Sequence, residues 1–190
     1  TTDFGYIWGA QVEASATYQT SYIPTYGTSA SRAQDFCLTA SPSTSLFNQT
    51  EGTIFTEITI NAITSGLYSR ILNLKNSGGT NQIYIQQVDS RLRATGFNGS
   101  NQFSSVTSSG FLVVGSSYKA AFAYKDGDYA FYVNGTQIGI GTATGLGTLS
   151  VDRLDYTTGA SNIALGNEVN QSLVFNSRLT NAELAALTTI

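Results

Sequence analysis

The sequence predicts an all-β protein: an antiparallel double-sheet sandwich of the jelly-roll type, closed by one short C-terminal helix. Three observations carry this. Thr (25), Ser (22) and Asn (13) make up about a third of the 190 residues, and Thr favours strands while Ser and Asn favour turns. Charged residues are only 11% of the chain, so solubility rests on neutral polar groups rather than on the Glu and Lys of helix surfaces. Short runs of period-2 alternation recur from about residue 53 onward, separated by Gly, Ser and Asn.

The elements follow in chain order. Thr53 to Ile60 (TIFTEITI), Gln82 to Val88 (QIYIQQV) and Arg91 to Phe97 (RLRATGF) alternate as half-buried strands do. Tyr118 to Tyr124 (YKAAFAY) puts Tyr118, Ala120, Phe122 and Tyr124 on one face, and Tyr129 to Asn134 (YAFYVN) does the same for Tyr129, Phe131 and Val133. Between them Asp126-Gly127 readily takes the positive φ of a tight turn, which makes this the clearest hairpin in the chain. Asn134-Gly135 is a second turn, and the Gly-dense Ile138 to Gly147 (IGIGTATGLG) reads as a strand end and a loop. Ser172 to Asn176 (SLVFN) is the last strand. Thr180 and Glu183 stand three apart ahead of Leu184, Ala185, Ala186 and Leu187, the signature of a capping box opening a helix of about two turns. In all, roughly a dozen strands are expected, with Phe122, Tyr118, Phe131, Val133, Ile163, Leu165, Leu173 and Phe175 in the core.

Size and composition bound the rest. One compact domain is expected from 190 residues. Nine Lys and Arg against twelve Asp and Glu give a net charge of -3, which leaves no basic stripe for a phosphate backbone. His is absent and Cys37 is the single cysteine, so the usual zinc sites, an internal disulfide and imidazole-based nucleophilic catalysis all fall away. No apolar run approaches the ~20 residues that span a bilayer, and no leader pattern opens the chain. Thr1 in place of Met predicts a processed or trimmed start. Residues 1–35 differ from the remainder: Tyr18, Tyr22 and Tyr26 are spaced by four, but Pro24 and β-branched neighbours argue for an extended connector over a helix.

The block Tyr118 to Gly139 (YKAAFAYKDGDYAFYVNGTQIG) resembles the central hairpin of laminin G-like, concanavalin A-like lectin domains. Asn162 to Gly166 (NIALG), Ser172 to Leu187 and Glu51 to Ile60 resemble that family's late core strand, last strand with terminal helix, and an early strand. The resemblance covers about residues 36–190, which implies a lectin-like domain there, preceded by residues 1–35 as the end of an upstream β module plus connector. Gly9 to Thr25 (GAQVEASATYQTSYIPT), with Arg32 and Asp35 downstream, is similar to a stretch in phage tail and tail-fibre proteins that leads into such a domain. Phe4 to Val12 would then be the last strand of the upstream module.

Several residues are candidates for function, each with a structural alternative. Trp8 is either a sugar-stacking platform or a packed strand residue. Arg91 and Arg93 share one strand face, as do Tyr84 and Gln86 on the preceding strand. If the two strands pair through Asp89-Ser90, one face carries Tyr, Gln and two Arg, suited to neutral or acidic glycans, or is simply a solvated outer face. Tyr84, Arg91, Arg93 and Tyr132 are therefore the candidate carbohydrate contacts. Asp126, Asp128, Asp152 and Asp155 are candidate ligands for Ca²⁺, which the resemblance places at a sandwich rim, although turn chemistry alone accounts for an Asp-Gly pair. No cofactor is required. Catalysis is not expected: the E-x-D-x-x-E strand of glucanases of this fold is missing among Glu51, Glu57, Glu168 and Glu183, and lyases of similar fold use a His. The sequons at Asn48, Asn98, Asn134 and Asn170 are what chance gives in a chain this rich in Asn, Ser and Thr.

Together these imply a non-catalytic receptor-binding, carbohydrate-binding domain of a phage tail fibre, extracellular on the virion. Its partners would be host cell-surface glycan and other tail proteins, displayed as a homotrimer, with no nucleic acid and no membrane insertion. A structural virion adaptor or decoration module, and a secreted bacterial carbohydrate-binding module, are the alternatives.

Overall fold

The computed structural model describes residues 43–63, 66, 68–108, 110–156 and 167–190, all within the unit Phe36–Ile190. Among these residues are ten strands: β1 (Glu51–Thr59), β2 (Tyr68–Lys75), β3 (Asn81–Val88), β4 (Arg91–Asn98), β5 (Ser100–Val106), β6 (Ser117–Lys125), β7 (Tyr129–Val133), β8 (Thr136–Gly141), β9 (Arg153–Asp155) and β10 (Glu168–Phe175). One helix, α1 (Asn181–Thr188), follows. The strands form two antiparallel sheets, ordered β10-β1-β6-β7-β8 and β5-β4-β3-β2-β9. This is the expected jelly-roll sandwich. No helix among the described residues is long and apolar enough to cross a membrane.

Between the sheets lies the main core, built mainly from alternate residues of the inner strands, with Phe103 entering from the edge strand β5. Ile54, Ile58, Leu72, Leu74, Ile83, Ile85, Leu92, Ala94, Phe122 and Phe131 are all fully buried there. The hairpin face read from sequence is part of it: Tyr118, Ala120, Phe122, Tyr124, Tyr129, Phe131 and Val133 all face this core. Phe103, reaching in from β5, stacks on Phe122 and on Tyr129 at 5.2 Å between centroids in both cases. Phe103 lies where a Cβ on Gly141 would be, its Cδ2 at 2.7 Å from that position, so β8 can pass β5 only without a side chain. Of the Gly-dense stretch Ile138 to Gly147, the residues to Gly141 are the end of β8 and those after it are loop, as the sequence reads. Burial, with the Asp126 charge nearby, pushes the Tyr129 phenol up to about 12.

A second core lies on the other side of the β1-containing sheet. Phe55, Ala121, Ala123, Ala130 and Tyr132 face away from the sandwich and are covered by α1 through Leu184. Leu173 and Phe175, expected in the sandwich core, pack here instead and are only half-buried, while Val174 between them meets the main core. Alternation divided that strand correctly into two faces, but both faces are covered, so apolar character could not tell which one looked inward. Ile163 and Leu165 lie outside the described residues.

Turns and caps hold these layers in register. Asn134 and Gly135 both have positive φ, 48° and 74°, as a two-residue hairpin turn demands. Asn134 Oδ1 accepts from the Lys119 amide at 2.9 Å, and the Gly135 amide donates to Thr188 Oγ1 at 3.0 Å, which fixes the end of α1 to the turn. At the β6–β7 turn Asp126 Oδ1 accepts from the amides of Gly145 (2.8 Å) and Leu146 (2.9 Å), pinning the loop after β8. Both halves of the capping box form: Glu183 Oε2 accepts from the Thr180 amide at 2.7 Å, and Thr180 Oγ1 accepts from the Glu183 amide at 3.3 Å.

Two outcomes follow. Phe131→Ala should cost about 3–5 kcal/mol in urea unfolding, because the ring is fully enclosed between sheets; a loss below about 1 kcal/mol would mean the site collapses around the change. Thr180→Ala should cost about 1 kcal/mol. The bonds from Thr180 hold the Glu183 carboxyl below its ordinary 4.5. A lowered folded-state value contributes stability that is fully present above the unfolded value and is lost as the pH falls through the folded one. Amide protection of α1 should thus decline below about pH 4.5 in the wild type and lose that dependence in Glu183→Gln.

Candidate functional site

The sheet β5-β4-β3-β2-β9 has one face in the core and one outside, and its registers fix which residues share the outer face. β3 and β4 pair through Asp89-Ser90 as the sequence suggests, with Val88 opposite Arg91 and Gln86 opposite Arg93. Asp89 supports the turn with φ 52°. β2 adds Tyr68 opposite Val88, Arg70 opposite Gln86 and Asn73 opposite Tyr84. Four rows therefore run across the outer face: Tyr68–Val88–Arg91, Arg70–Gln86–Arg93, Asn73–Tyr84–Thr95 and Lys75–Gln82–Phe97.

This face concentrates positive charge on an acidic chain. Arg70, Lys75, Arg91, Arg93 and, from β9, Arg153 opposite Lys75 are five of the nine Lys and Arg in the sequence. Three of the five are neutralised. Lys75 pairs with the buried Asp155, Arg153 with Asp152 at 2.8 Å, and Arg91 with Asp89 at 3.7 Å. Among the described residues no carboxylate is in salt-bridge contact with Arg70 or Arg93. Each rests on an aromatic ring: the Arg70 guanidinium lies 4.3 Å from the centre of the Tyr84 ring, and that of Arg93 lies 5.6 Å from the centre of Tyr68. Both are held by amides. Arg70 Nη1 donates to Gln82 Oε1, and with the Gln86 amide oxygen assigned toward Arg93 it accepts from Nε (3.1 Å) and Nη2 (2.5 Å).

The two guanidinium groups feel each other. Burial pulls Arg70 below its ordinary value; Tyr84 and the Asp155 carboxylate oppose this, and the Arg93 charge adds to the depression. Strands lie about 4.8 Å apart, so a pair flanking one central strand is separated by roughly 10 Å at the backbone, within reach of long side chains converging on one anion. Planar guanidinium forks beside aromatic rings suit a carboxylated ligand with an apolar ring face.

Of the four carbohydrate contacts expected from sequence, Tyr84, Arg91 and Arg93 share this face. Tyr132 does not. It lies in the other sheet, 5% exposed beneath α1, with its hydroxyl donating to Gln137 Oε1 at 2.8 Å. Its polar tip and strand position look like those of a surface tyrosine until the helix is placed over it. Tyr68, Arg70 and Asn73 were missed because β2 was: the extra residue Ile71 between Arg70 and Leu72 breaks the alternation of YSRILNLK. Thr95 lies on β4, which was read as a strand, but a lone threonine there carries no signal of its own. The signal left in the sequence is Leu72-Asn73-Leu74-Lys75, which alternates cleanly after the bulge.

The four candidate metal ligands are placed in two different sheets and are engaged within the chain. Asp126 holds two loop amides, Asp128 pairs with Arg178 at 2.7 Å, Asp152 with Arg153, and Asp155 with Lys75. Among the described residues no three Asp, Glu, Cys or His gather as a metal cluster. Trp8 and the stretch Gly9 to Thr25 lie outside the described residues.

With this geometry the chain was compared with known proteins. No protein-family model matches it, and no curated protein matches. Solved structures do. A CBM40 module of a Ruminococcus gnavus sialidase, bound to α2,3-sialyllactose, superimposes with a TM-score of 0.62 at 13% identity over 83% of this chain and 97% of that one. Trypanosoma rangeli sialidase matches with a TM-score of 0.58 at 18% identity, over 73% of this chain but 22% of that one. The binding domain of a botulinum neurotoxin of serotype D/C gives 0.56 at 16% identity, over 73% and 36%. At such identities the likeness establishes the sandwich fold.

Proposed function

We propose that this chain is a non-catalytic glycan-binding module that holds an anionic, carboxylated sugar on the outer face of β2, β3 and β4. The observation that carries this is the row Arg70–Gln86–Arg93, two arginines flanking one glutamine with no salt bridge to either among the described residues. The Arg93 charge adds to the depression of Arg70, and an anion bound between the two would offset it. Tyr84 and Tyr68 supply ring faces next to that anion. Support also comes from a similar sandwich whose crystal holds sialyllactose. Binding without cleavage fits a chain that has no His and whose glutamates lack glycosidase spacing.

The biological setting we propose is host attachment by a phage tail fibre, supported by the similarity of Gly9 to Thr25 to tail-fibre connectors. Shallow, wet sugar sites bind weakly, on the order of millimolar to micromolar Kd, because each hydrogen bond mostly replaces one to water. Display in three copies would raise avidity by about 10² to 10⁴.

On an array of carboxylated, sulfated and neutral oligosaccharides, signal should concentrate on carboxylated glycans, fall with added salt, and drop about tenfold or more in Arg93→Ala and further in Arg70→Ala plus Arg93→Ala. Equal signal on neutral glycans, or a double variant that binds as wild type does, overturns the assignment. An artificially trimerised protein should adsorb to host cells at least about 10² more strongly than monomer; no gain on trimerisation overturns the multivalent attachment role.

A further inference from the structure

The row beside the two arginines contains polar groups that the fold leaves unpartnered. Asn73 and Thr95 flank Tyr84 on either side, 0% and 1% exposed, and neither Asn73 Oδ1 nor Thr95 Oγ1 has a hydrogen-bond partner. A buried polar atom with no partner costs about 1–3 kcal/mol. Two such atoms in one row, on the outer face of a sheet, are not explained by packing, since Val in place of Thr95 would fill the same space without the cost. Placed on either side of an aromatic ring, they match what a sugar presents at its rim: hydroxyls that donate and accept, around an apolar ring face.

What closes this row is Arg70. Its guanidinium lies over Tyr84, and its bond to Gln82 links it to Asn73, whose Nδ2 donates to the same Gln82 Oε1 at 3.3 Å. Rows along a strand are about 7 Å apart, so the Arg70 side chain can lie over Tyr84 or turn back toward Arg93 without any backbone movement. Its position over the ring is held by the Gln82 amide and by the Tyr84 ring and not by a salt bridge among the described residues, so a bound carboxylate would offer it a stronger partner.

We propose that Asn73, Tyr84 and Thr95 form a second subsite, for the ring and hydroxyls of the sugar, which Arg70 covers in the free protein and opens when it turns to the ligand's carboxylate. This rests on the reading of the arginine row as an anion site. The two parts then have separate tasks: the arginines admit only a charged sugar, and the uncovered row measures its hydroxyls. Charge selectivity and ring recognition become coupled, because the ring platform is reached only after an anion has drawn Arg70 away.

The test uses the full chain on the same glycan array, with melting temperature measured in parallel. Thr95→Val should leave the melting temperature unchanged or raise it, yet lower the carboxylated-glycan signal about tenfold. Asn73→Leu should weaken binding likewise, and Thr95→Val keeps the test valid if that variant folds poorly. Arg70→Ala should lose preference for carboxylated glycans and gain signal on neutral ones, since Tyr84 is then uncovered. If Thr95→Val melts earlier while binding as wild type does, Thr95 is structural and the subsite is overturned, with the anion site standing provided Arg93→Ala still abolishes binding. If Arg70→Ala gains no neutral-glycan signal, the cover is overturned. Where Arg93→Ala also binds normally, the anion reading itself fails and the subsite with it.

Discussion

The contact on which the sandwich depends is the stack of Phe103, Phe122 and Tyr129. Phe122 and Tyr129 belong to one sheet, Phe103 to the edge strand of the other, and the three rings lie nearly parallel, each pair within 18°. Because Phe103 is the only large apolar residue of β5, this stack is what ties that edge to the opposite sheet. The constraint spreads outward. β8 must carry Gly141 where the Phe103 ring passes, and the β4 residue opposite Phe103 is Gly96, against whose position the Tyr129 ring lies at 3.4 Å. With Phe103 turned inward, strict alternation turns Ser104 outward, and through the β4 pairing it sets Thr95 and Arg93 outward as well. The composition of the outer face is thus decided by the packing of the inner one.

Much of this was legible in the sequence where a strand had one apolar and one polar face. β3 and β4 read correctly because Ile83, Ile85, Leu92 and Ala94 alternate with Tyr84, Gln86, Arg91 and Arg93 without interruption. The β6–β7 hairpin and the capped helix also followed from local chemistry: Asp-Gly at a tight turn, Thr and Glu three apart at a helix start. Failures had two separate causes. A bulge hid β2. And β5, SNQFSSV, carries a single large inward side chain, too little for a period to show.

The misplacement of Tyr132, Leu173 and Phe175 has another origin. These residues lie on the face of the β1-containing sheet turned away from the sandwich, and α1 covers it. α1 is only eight residues long, and an isolated helix of that length is marginal in water. Its order comes from the capping box at one end, from Leu184 in the second core, and from Thr188 bonded to the Asn134-Gly135 turn at the other. Such a helix is visible in sequence as a helix, but where it docks is a tertiary fact, and only docking distinguishes a buried tyrosine from an exposed one. The same covering separates the two sheets functionally: one outer face is occupied by the chain's own helix, the other carries the arginines.

Unpaired buried polar atoms occur in both sheets, at Thr56, Tyr129 and Ser172 in one and at Asn73, Asn81 and Thr95 in the other. Asn73 and Thr95 each carry a cost in stability. Their neighbours on the inner face, Leu72, Leu74, Ile83, Ile85, Leu92 and Ala94, are fully or almost fully buried and make the sheet stable enough to carry them. Strands are also the rigid part of the molecule, so side chains set in register across β2, β3 and β4 keep their spacing without loops to hold them. The proposed anion site needs such a base, because it depends on the spacing of Arg70 and Arg93 across β3. The bulge at Ile71 completes the arrangement: Arg70 and Asn73 stand three apart and would fall on opposite faces of a regular strand, and the bulge lets β2 fill both the arginine row and the Tyr84 row.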